Sequence, residues 1–115
     1  MHATGIGIDL IEVSRFREIG RSEHEQFFAN TFSETEIEYC FSYKDPASHL
    51  AGIFAAKEAV QKASGVFSLP LNKIEIRKKD TGQPEVWMDG KCTPSLIVSI
   101  THSDVSACAV ALNQS

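Results

Sequence analysis

The chain has 115 residues, 43% of them hydrophobic and 23% charged, with a net charge of −4. That length makes one domain able to bury about two thirds of the surface its unfolded chain exposes, with no room for a separate regulatory domain. The acidic balance argues against non-specific nucleic-acid binding, which needs a basic stripe, and no apolar run approaches the ~20 residues that cross a bilayer. Met1-His2-Ala3-Thr4-Gly5 lacks the charged and apolar regions of a signal peptide, so a cytoplasmic location is expected. Cys40, Cys92 and Cys108 are odd in number and widely spaced, without a Cys-x-x-Cys pair, so neither a disulfide framework nor a zinc knuckle is suggested.

Thr4 to Ile11 alternates as a strand does: Ile6, Ile8 and Leu10 point one way, and Gly5, Gly7 and Asp9 the other. The face carrying Asp9 is nearly bare, and two glycines on one strand face mark a place where something approaches the backbone closely. Asp9 is either a ligand beyond that track or a cap for the next helix. Glu12 to Ile19 reads as a short helix with Val13, Phe16 and Ile19 on one face, Arg15 on the other and Gly20 as its stop. Arg15, Arg17 and Arg21 lie close together as a candidate docking patch. After a polar connection, Phe27, Phe28 and Phe32 form an apolar cluster that belongs to the core. Ser33-Glu-Thr-Glu36 has the spacing of a capping box, so a helix runs from there to about Ser42.

Asp45-Pro46 restarts the chain with a cap and a proline suited to a first helical turn. The helix it opens spans roughly residues 46–64, and Gly65 suits the left-handed residue that ends it. Leu50, Ile53, Phe54, Lys57, Val60 and Gln61 share one arc of its wheel, and Glu58 and Lys62 sit together on the flank beside Ala51 and Ala55. A carboxylate and an ammonium one turn apart either reach one small charged ligand or form an ordinary surface pair, stabilising by ~0.2–0.5 kcal/mol. Lys57, inside the apolar arc, predicts either an interface or pocket or an ammonium that snorkels to water.

The remainder reads as β. Lys73 to Lys78 alternates, Asp80-Thr-Gly-Gln-Pro84 is turn chemistry, Glu85 to Met88 returns, and Asp89-Gly90 turns again. Leu96 to Thr101 and Val105 to Leu112 form a last pair, joined through Thr101-His102-Ser103-Asp104. Ala107, Ala109 and Ala111 share a flat face that suits a helix or another subunit. The expectation is an α+β fold: one small domain over residues 1–115, with an antiparallel sheet packed against a long central helix and several short ones.

The polar singletons point to one chemistry when taken together. His102 sits where a strand pair turns, either as an ordinary surface residue or as a ligand contact. Asp9 and Glu58 come from different elements with no cysteine or paired histidine near them, and such a pair suits a hard, oxygen-seeking ion. Magnesium uses one or two protein carboxylates and completes its shell with water and substrate phosphates. Lys62 and His102 would then meet phosphate oxygens, which implies chemistry at phosphorus. No Gly-x-x-x-x-Gly-Lys-Ser/Thr loop is present. Gly5-x-Gly7 lacks the third glycine of a dinucleotide site, and neither Ser103 nor Ser106 lies in a Gly-x-Ser-x-Gly elbow.

Gly5-Ile-Gly-Ile-Asp9-Leu-Ile-Glu-Val-Ser-Arg15-Phe, Phe32-Ser-Glu-Thr-Glu36-Ile-Glu-Tyr39, Phe54-Ala-Ala-Lys-Glu58-Ala-Val-Gln-Lys62-Ala-Ser-Gly65, Ile74-Glu-Ile-Arg-Lys and Ser99-Ile-Thr-His102-Ser103 occur in that order. In this the chain resembles the holo-[acyl-carrier-protein] synthases, the short single-domain group of 4′-phosphopantetheinyl transferases, over essentially its whole length. The resemblance implies a magnesium-dependent transfer of phosphopantetheine from coenzyme A to a serine of an apo acyl carrier protein, releasing adenosine 3′,5′-bisphosphate. Asp9 and Glu58 match the metal ligands, and Glu58 is the expected base. Lys62, His102, Ser103 and Gly65 match coenzyme positions, with Asp9, Glu58, Lys62 and His102 as the catalytic set. Arg15 matches a carrier-docking position, and Arg21 is expected to dock the carrier beside it. Homotrimers with sites at subunit boundaries are implied, which would give the alanine face and Lys57 a purpose.

Two stretches depart from that pattern. Val66-Phe-Ser-Leu-Pro-Leu71 is short and apolar where a longer glycine-rich loop is expected, and Ser22-Glu-His-Glu-Gln26 is acidic where basic residues are expected. Like charges across an interface oppose association, so docking of an acidic carrier would rest on Arg15, Arg17 and Arg21, or the carrier would be a dedicated one. Two rival readings share the quartet: an inactive relative that only binds a carrier, and another magnesium enzyme acting on a nucleotide diphosphate.

Overall fold

The structure, a computed structural model, describes residues 2–114. Strand β1 (Ala3–Glu12) leads into a single-turn helix α1 (Ser14–Arg17), then α2 (Glu25–Thr31), α3 (Glu34–Phe41) and the 18-residue α4 (Ala47–Ser64). A 3-10 turn at Leu71–Lys73 precedes β2 (Ile74–Lys78), β3 (Pro84–Met88), β4 (Lys91–Cys92), β5 (Leu96–His102) and β6 (Ser106–Gln114). The expected α+β domain is present, but its strands form two antiparallel sheets, ordered β1-β6-β5 and β2-β3-β4. The second sheet gains its third strand because Asp89 and Gly90 both take positive φ, the geometry of a tight hairpin turn.

What approaches the bare face of β1 is α4 itself. A Cβ on Gly7 would collide with the Ala59 carbonyl oxygen, and one on Gly5 with the Ala63 carbonyl oxygen. Across the ladder Gly7 pairs with Ala111, Asp9 with Ala109 and Ile11 with Ala107. The alanines at 107, 109 and 111 are all buried, as are Ala51, Ala55, Ala59 and Ala63 of the helix. Small residues on both surfaces let backbone approach backbone. The alanine face therefore serves a helix, and the subunit reading of it is corrected.

The opposite face of the same sheet is left in water. Ile6, Ile8 and Leu10 are 67%, 62% and 68% exposed, and their cross-strand neighbours are Leu112, Val110 and Cys108 of β6, with Ile97 of β5 beyond Leu112.

Several local expectations shift. The helix expected over residues 12–19 is one turn long because β6 holds the chain extended through Glu12, and Val13 N–H still donates to the Val105 carbonyl at 2.9 Å. The polar connection before Phe27 contains α2, which carries Phe28 into the core beside Phe32, each 2% exposed. The capping box is present in both halves, Glu36 N–H to Ser33 Oγ at 3.2 Å and Ser33 N–H to Glu36 Oε1 at 2.9 Å. Helix α4 starts one residue later than expected, with Pro46 at its cap and Asp45 Oδ1 accepting from Ala47 N–H at 3.4 Å. Gly65 ends it at φ 73°, a left-handed position that glycine takes at no steric cost.

Lys57 is a correction. Its side chain is fully buried and neither snorkels nor faces another subunit. Its Nζ lies 2.6 Å from Glu36 Oε1 and donates to the carbonyls of Leu71 (2.8 Å) and Ile74 (2.6 Å). Glu36 Oε2 in turn accepts from Ile76 N–H at 2.8 Å. The capping residue of α3 is thus also the counterion of α4 and an anchor for β2.

Candidate active site

Two of the three expected catalytic elements meet where α4 crosses β1. Asp9 follows the glycine track, and its side chain is only 11% exposed. The helix holds Glu58 half-buried beside it and Lys62 one turn further on, at the exposed edge. Lys62 Nζ donates to the Ile8 carbonyl at 2.8 Å and lies 3.4 Å from Asp9 Oδ1. The expected Glu58–Lys62 surface pair is therefore replaced by a Lys62–Asp9 pair that crosses from helix to strand.

The electrostatics of this corner are unbalanced. Glu58 is held above the usual carboxylate range, first by burial, then by the Asp9 charge and by its contact with the Asp9 carboxyl; Lys62 and Arg15 pull it back down. Asp9 Oδ2 is buried and has no hydrogen-bond partner among the described residues. Two adjacent carboxyl groups with one orphaned oxygen make a destabilising arrangement unless a cation or a shared proton joins them. Arg15, expected only at a docking surface, also faces this corner. It acts on Glu58, and its guanidinium lies 5.5 Å from the centre of the Phe54 ring.

His102 and Ser103 do not join this group within the chain. His102 ends β5, opposite Ala107, while Asp9 lies on the far side of β6 opposite Ala109. The two are separated by two strand spacings, about 10 Å, and by two residues along β6. His102 instead stands edge-on to His49, with ring centres 5.1 Å apart, and His49 stacks on Tyr43 at 3.6 Å. Ser103 Oγ accepts from the N–H groups of Val105 and Ser106 and shapes the turn. Gly65 lies at the C-terminal end of α4, three residues beyond Lys62, with open space around it. Nothing in the sequence points to His49, because its helical neighbours are core residues and its partners come from α3, the turn after it and β5.

Residues 5–111 match the 4′-phosphopantetheinyl transferase superfamily, and the chain belongs to it. Its relatives there carry a more particular name, holo-[acyl-carrier-protein] synthase. The one from Thermodesulfovibrio yellowstonii is 40% identical over 99 residues, spanning 85% of this chain and 87% of its own. That from Chlorobaculum parvum is 38% identical over 113 residues, 95% of this chain and 97% of its own. Among solved structures, the holo-(acyl-carrier-protein) synthase of Bacillus anthracis in complex with CoA (3′,5′-ADP) superposes with a TM-score of 0.78 at 31% identity, over 98% of both chains. The Helicobacter pylori holo-[acyl-carrier-protein] synthase in complex with coenzyme A gives a TM-score of 0.79 at 28% identity, over 95% of this chain and 99% of that one.

Proposed function

We propose that this chain transfers the 4′-phosphopantetheine group of coenzyme A to a serine of an apo acyl carrier protein, releasing adenosine 3′,5′-bisphosphate. The observation that carries this reading is the Asp9–Glu58 pair with Lys62 at its rim, in a chain of this superfamily. The serine oxygen bonds to the phosphorus that bears the pantetheine, the bridging P–O bond of the pyrophosphate breaks, and the bisphosphate leaves. The Glu58 carboxylate, made more basic than usual by burial and then by Asp9, is suited in its ionised form to take the serine proton. The Lys62 ammonium, 49% exposed, is suited to bind phosphate oxygens, and turning to them costs it a half-exposed ion pair and its hydrogen bond to the Ile8 carbonyl.

The corner also fits magnesium. Two carboxyl groups, one with an unpartnered buried oxygen, suit an ion that takes few protein ligands and fills its shell from a phosphate. The described residues contain no cluster of three or more His, Cys, Asp or Glu that would form a complete cage. Asp9 and Glu58 would hold the ion, and magnesium bound there supplies neutralisation of pyrophosphate charge.

For the carrier, Arg15 and Arg21 remain as the docking cations. Arg21 is exposed over the Phe41 ring at 5.2 Å. Arg17 is already engaged by Asp45 at 2.8 Å and by the Asp104 carbonyl at 2.9 Å. The apolar outer face of the β1-β6-β5 sheet supports a homotrimer, since an antiparallel sheet normally presents a polar face to water. Ile8→Asp, at the centre of that face, is expected to convert a trimer into monomers in sedimentation equilibrium; a monomeric wild type would end this part of the reading. Three cysteines free of disulfides suit a cytoplasmic enzyme, and no helix among the described residues is long and apolar enough to cross a membrane.

The deciding experiment is intact-mass spectrometry of an apo acyl carrier protein incubated with the chain, coenzyme A and magnesium. The expected result is a mass increase of one phosphopantetheine group, lost with chelator. Coenzyme binding without transfer to any carrier would instead favour the inactive relative.

A further inference from the structure

Lys62 makes two contacts that a phosphate-binding role does not require. Its Nζ donates to the Ile8 carbonyl at 2.8 Å and lies 3.4 Å from Asp9 Oδ1. Both partners belong to β1, so the side chain crosses from α4 to the strand and rests against one of the two carboxyl groups that suit a metal ion. The glycine track makes this reach possible. A Cβ on Gly7 would lie 2.8 Å from Lys62 Cβ, so the strand passes directly beneath the root of the lysine. With both acids ionised, the charges of the corner already cancel: Asp9 and Glu58 face Lys62 and Arg15.

A divalent cation brought to this corner alone meets a site of no net charge and has to share Asp9 with an ammonium. A phosphate changes both conditions. Its oxygens offer Lys62 a partner of opposite charge, and they supply the ligands that two carboxyl groups leave out. We propose that Lys62 acts as an interlock, opposing a divalent cation at Asp9 until a phosphate of the coenzyme draws the ammonium away, so that metal and coenzyme bind as a unit. The inference rests on the coenzyme reading above and gives Lys62 a second task in the same site. Side-chain rotation is enough for the change, because the ammonium is 49% exposed while α4 stays seated on Gly5 and Gly7. What Lys62 gives up is one half-exposed ion pair and one hydrogen bond, together worth about a factor of ten in affinity. By linkage, the factor by which coenzyme tightens metal binding is also the factor by which metal tightens coenzyme binding. Arg15 shares the field without the contact. Its guanidinium lies 5.5 Å from the centre of the Phe54 ring, and it opposes a metal ion by charge alone.

The test is manganese binding, with manganese standing in for magnesium, read by electron paramagnetic resonance at about pH 8, well above the carboxylate range. It is measured with the metal alone and again with coenzyme A, in the wild type, Lys62→Met, Lys62→Arg and Arg15→Met. Lys62→Met keeps the aliphatic stem and removes the charge. It should bind manganese alone about tenfold more tightly than the wild type, and the tightening that coenzyme A brings should shrink by a similar factor. Lys62→Arg keeps a cation beside Asp9 and should stay near the wild type in both measurements. Arg15→Met should gain less than Lys62→Met, because it removes charge without releasing Asp9. Unchanged metal binding in Lys62→Met would overturn the proposal, and so would weaker binding, which would make Lys62 a support for Asp9. Equal gains in Lys62→Met and Arg15→Met would overturn it too, leaving a general field and no competing contact. A wild type that binds manganese but never coenzyme A would remove the coenzyme reading, and the interlock with it, even if Lys62→Met held the metal more tightly.

Discussion

Asp9→Asn and Glu58→Gln each reduce transfer to a carrier by on the order of a thousandfold, as removal of a preorganised electrostatic group typically does, while the unfolding midpoint stays level or rises. The two halves of this result have one cause. In the wild type the carboxyl groups repel, Glu58 is raised by burial and then by Asp9, and Asp9 Oδ2 is buried without a partner. An isosteric amide keeps the volume, removes the like charge and supplies a donor. The one attraction that Asp9→Asn weakens is that of Lys62 at 3.4 Å, whose side chain is half exposed and which contributes little. A folded-state pKa above the unfolded value means that ionised Glu58 opposes folding at neutral pH, an opposition relieved as pH falls through the raised value. The stability gap between Asp9→Asn and wild type should therefore narrow toward acid. Manganese binding, read by electron paramagnetic resonance, should weaken in both variants. Collapse of either fold, or full transfer with metal binding intact, would show that the pair is structural.

How much of the molecule is legible in its sequence depends on how local the cause is. The capping box, the left-handed Gly65 and the glycine track of β1 follow from steric and hydrogen-bonding rules within a few residues, and each stands as read. Asp9 and Glu58 can be paired because the strand and the helix carry clear periodicities. The occupant of the space beside Gly5 and Gly7 is not legible, since a ligand, a subunit and a helix all satisfy a bare strand face. Lys57 is misread for a similar reason. Its counterion, Glu36, lies on another helix and already has a local role as a capping residue, so nothing in either stretch announces the pairing. His102 stands out as a polar residue at a strand end, but its neighbours Tyr39, His49 and Lys78 come from three further segments.

The Lys57–Glu36 pair supplies the second large effect, on stability. Lys57→Met leaves Glu36 buried without its cation and is expected to cost about 3–5 kcal/mol, lowering the melting temperature by roughly 4–8 °C per kcal/mol for a domain of this size class. Glu36→Leu should cost a similar amount. Burial dominates both groups, raising Glu36 and lowering Lys57 against their mutual attraction. A buried pair of that kind can often be replaced by apolar residues with no loss. Here replacement should fail, because the charges also serve the backbone. Glu36 accepts from the N–H groups of Ser33 and Ile76, and Lys57 donates to the carbonyls of Leu71 and Ile74. The double variant Glu36→Leu/Lys57→Met removes the uncompensated charge but orphans four backbone groups, each costing about 1–3 kcal/mol if left buried and unpaired. Its stability in urea should therefore exceed what the two single variants predict by addition, yet remain below wild type; a double variant as stable as wild type would show that the ion pair contributes nothing through those bonds. The consequence reaches the candidate site, because Lys57 and Glu58 are neighbours on one helix. The bonds that hold Lys57 against α3 and β2 fix the rotation of α4 that turns Glu58 toward Asp9.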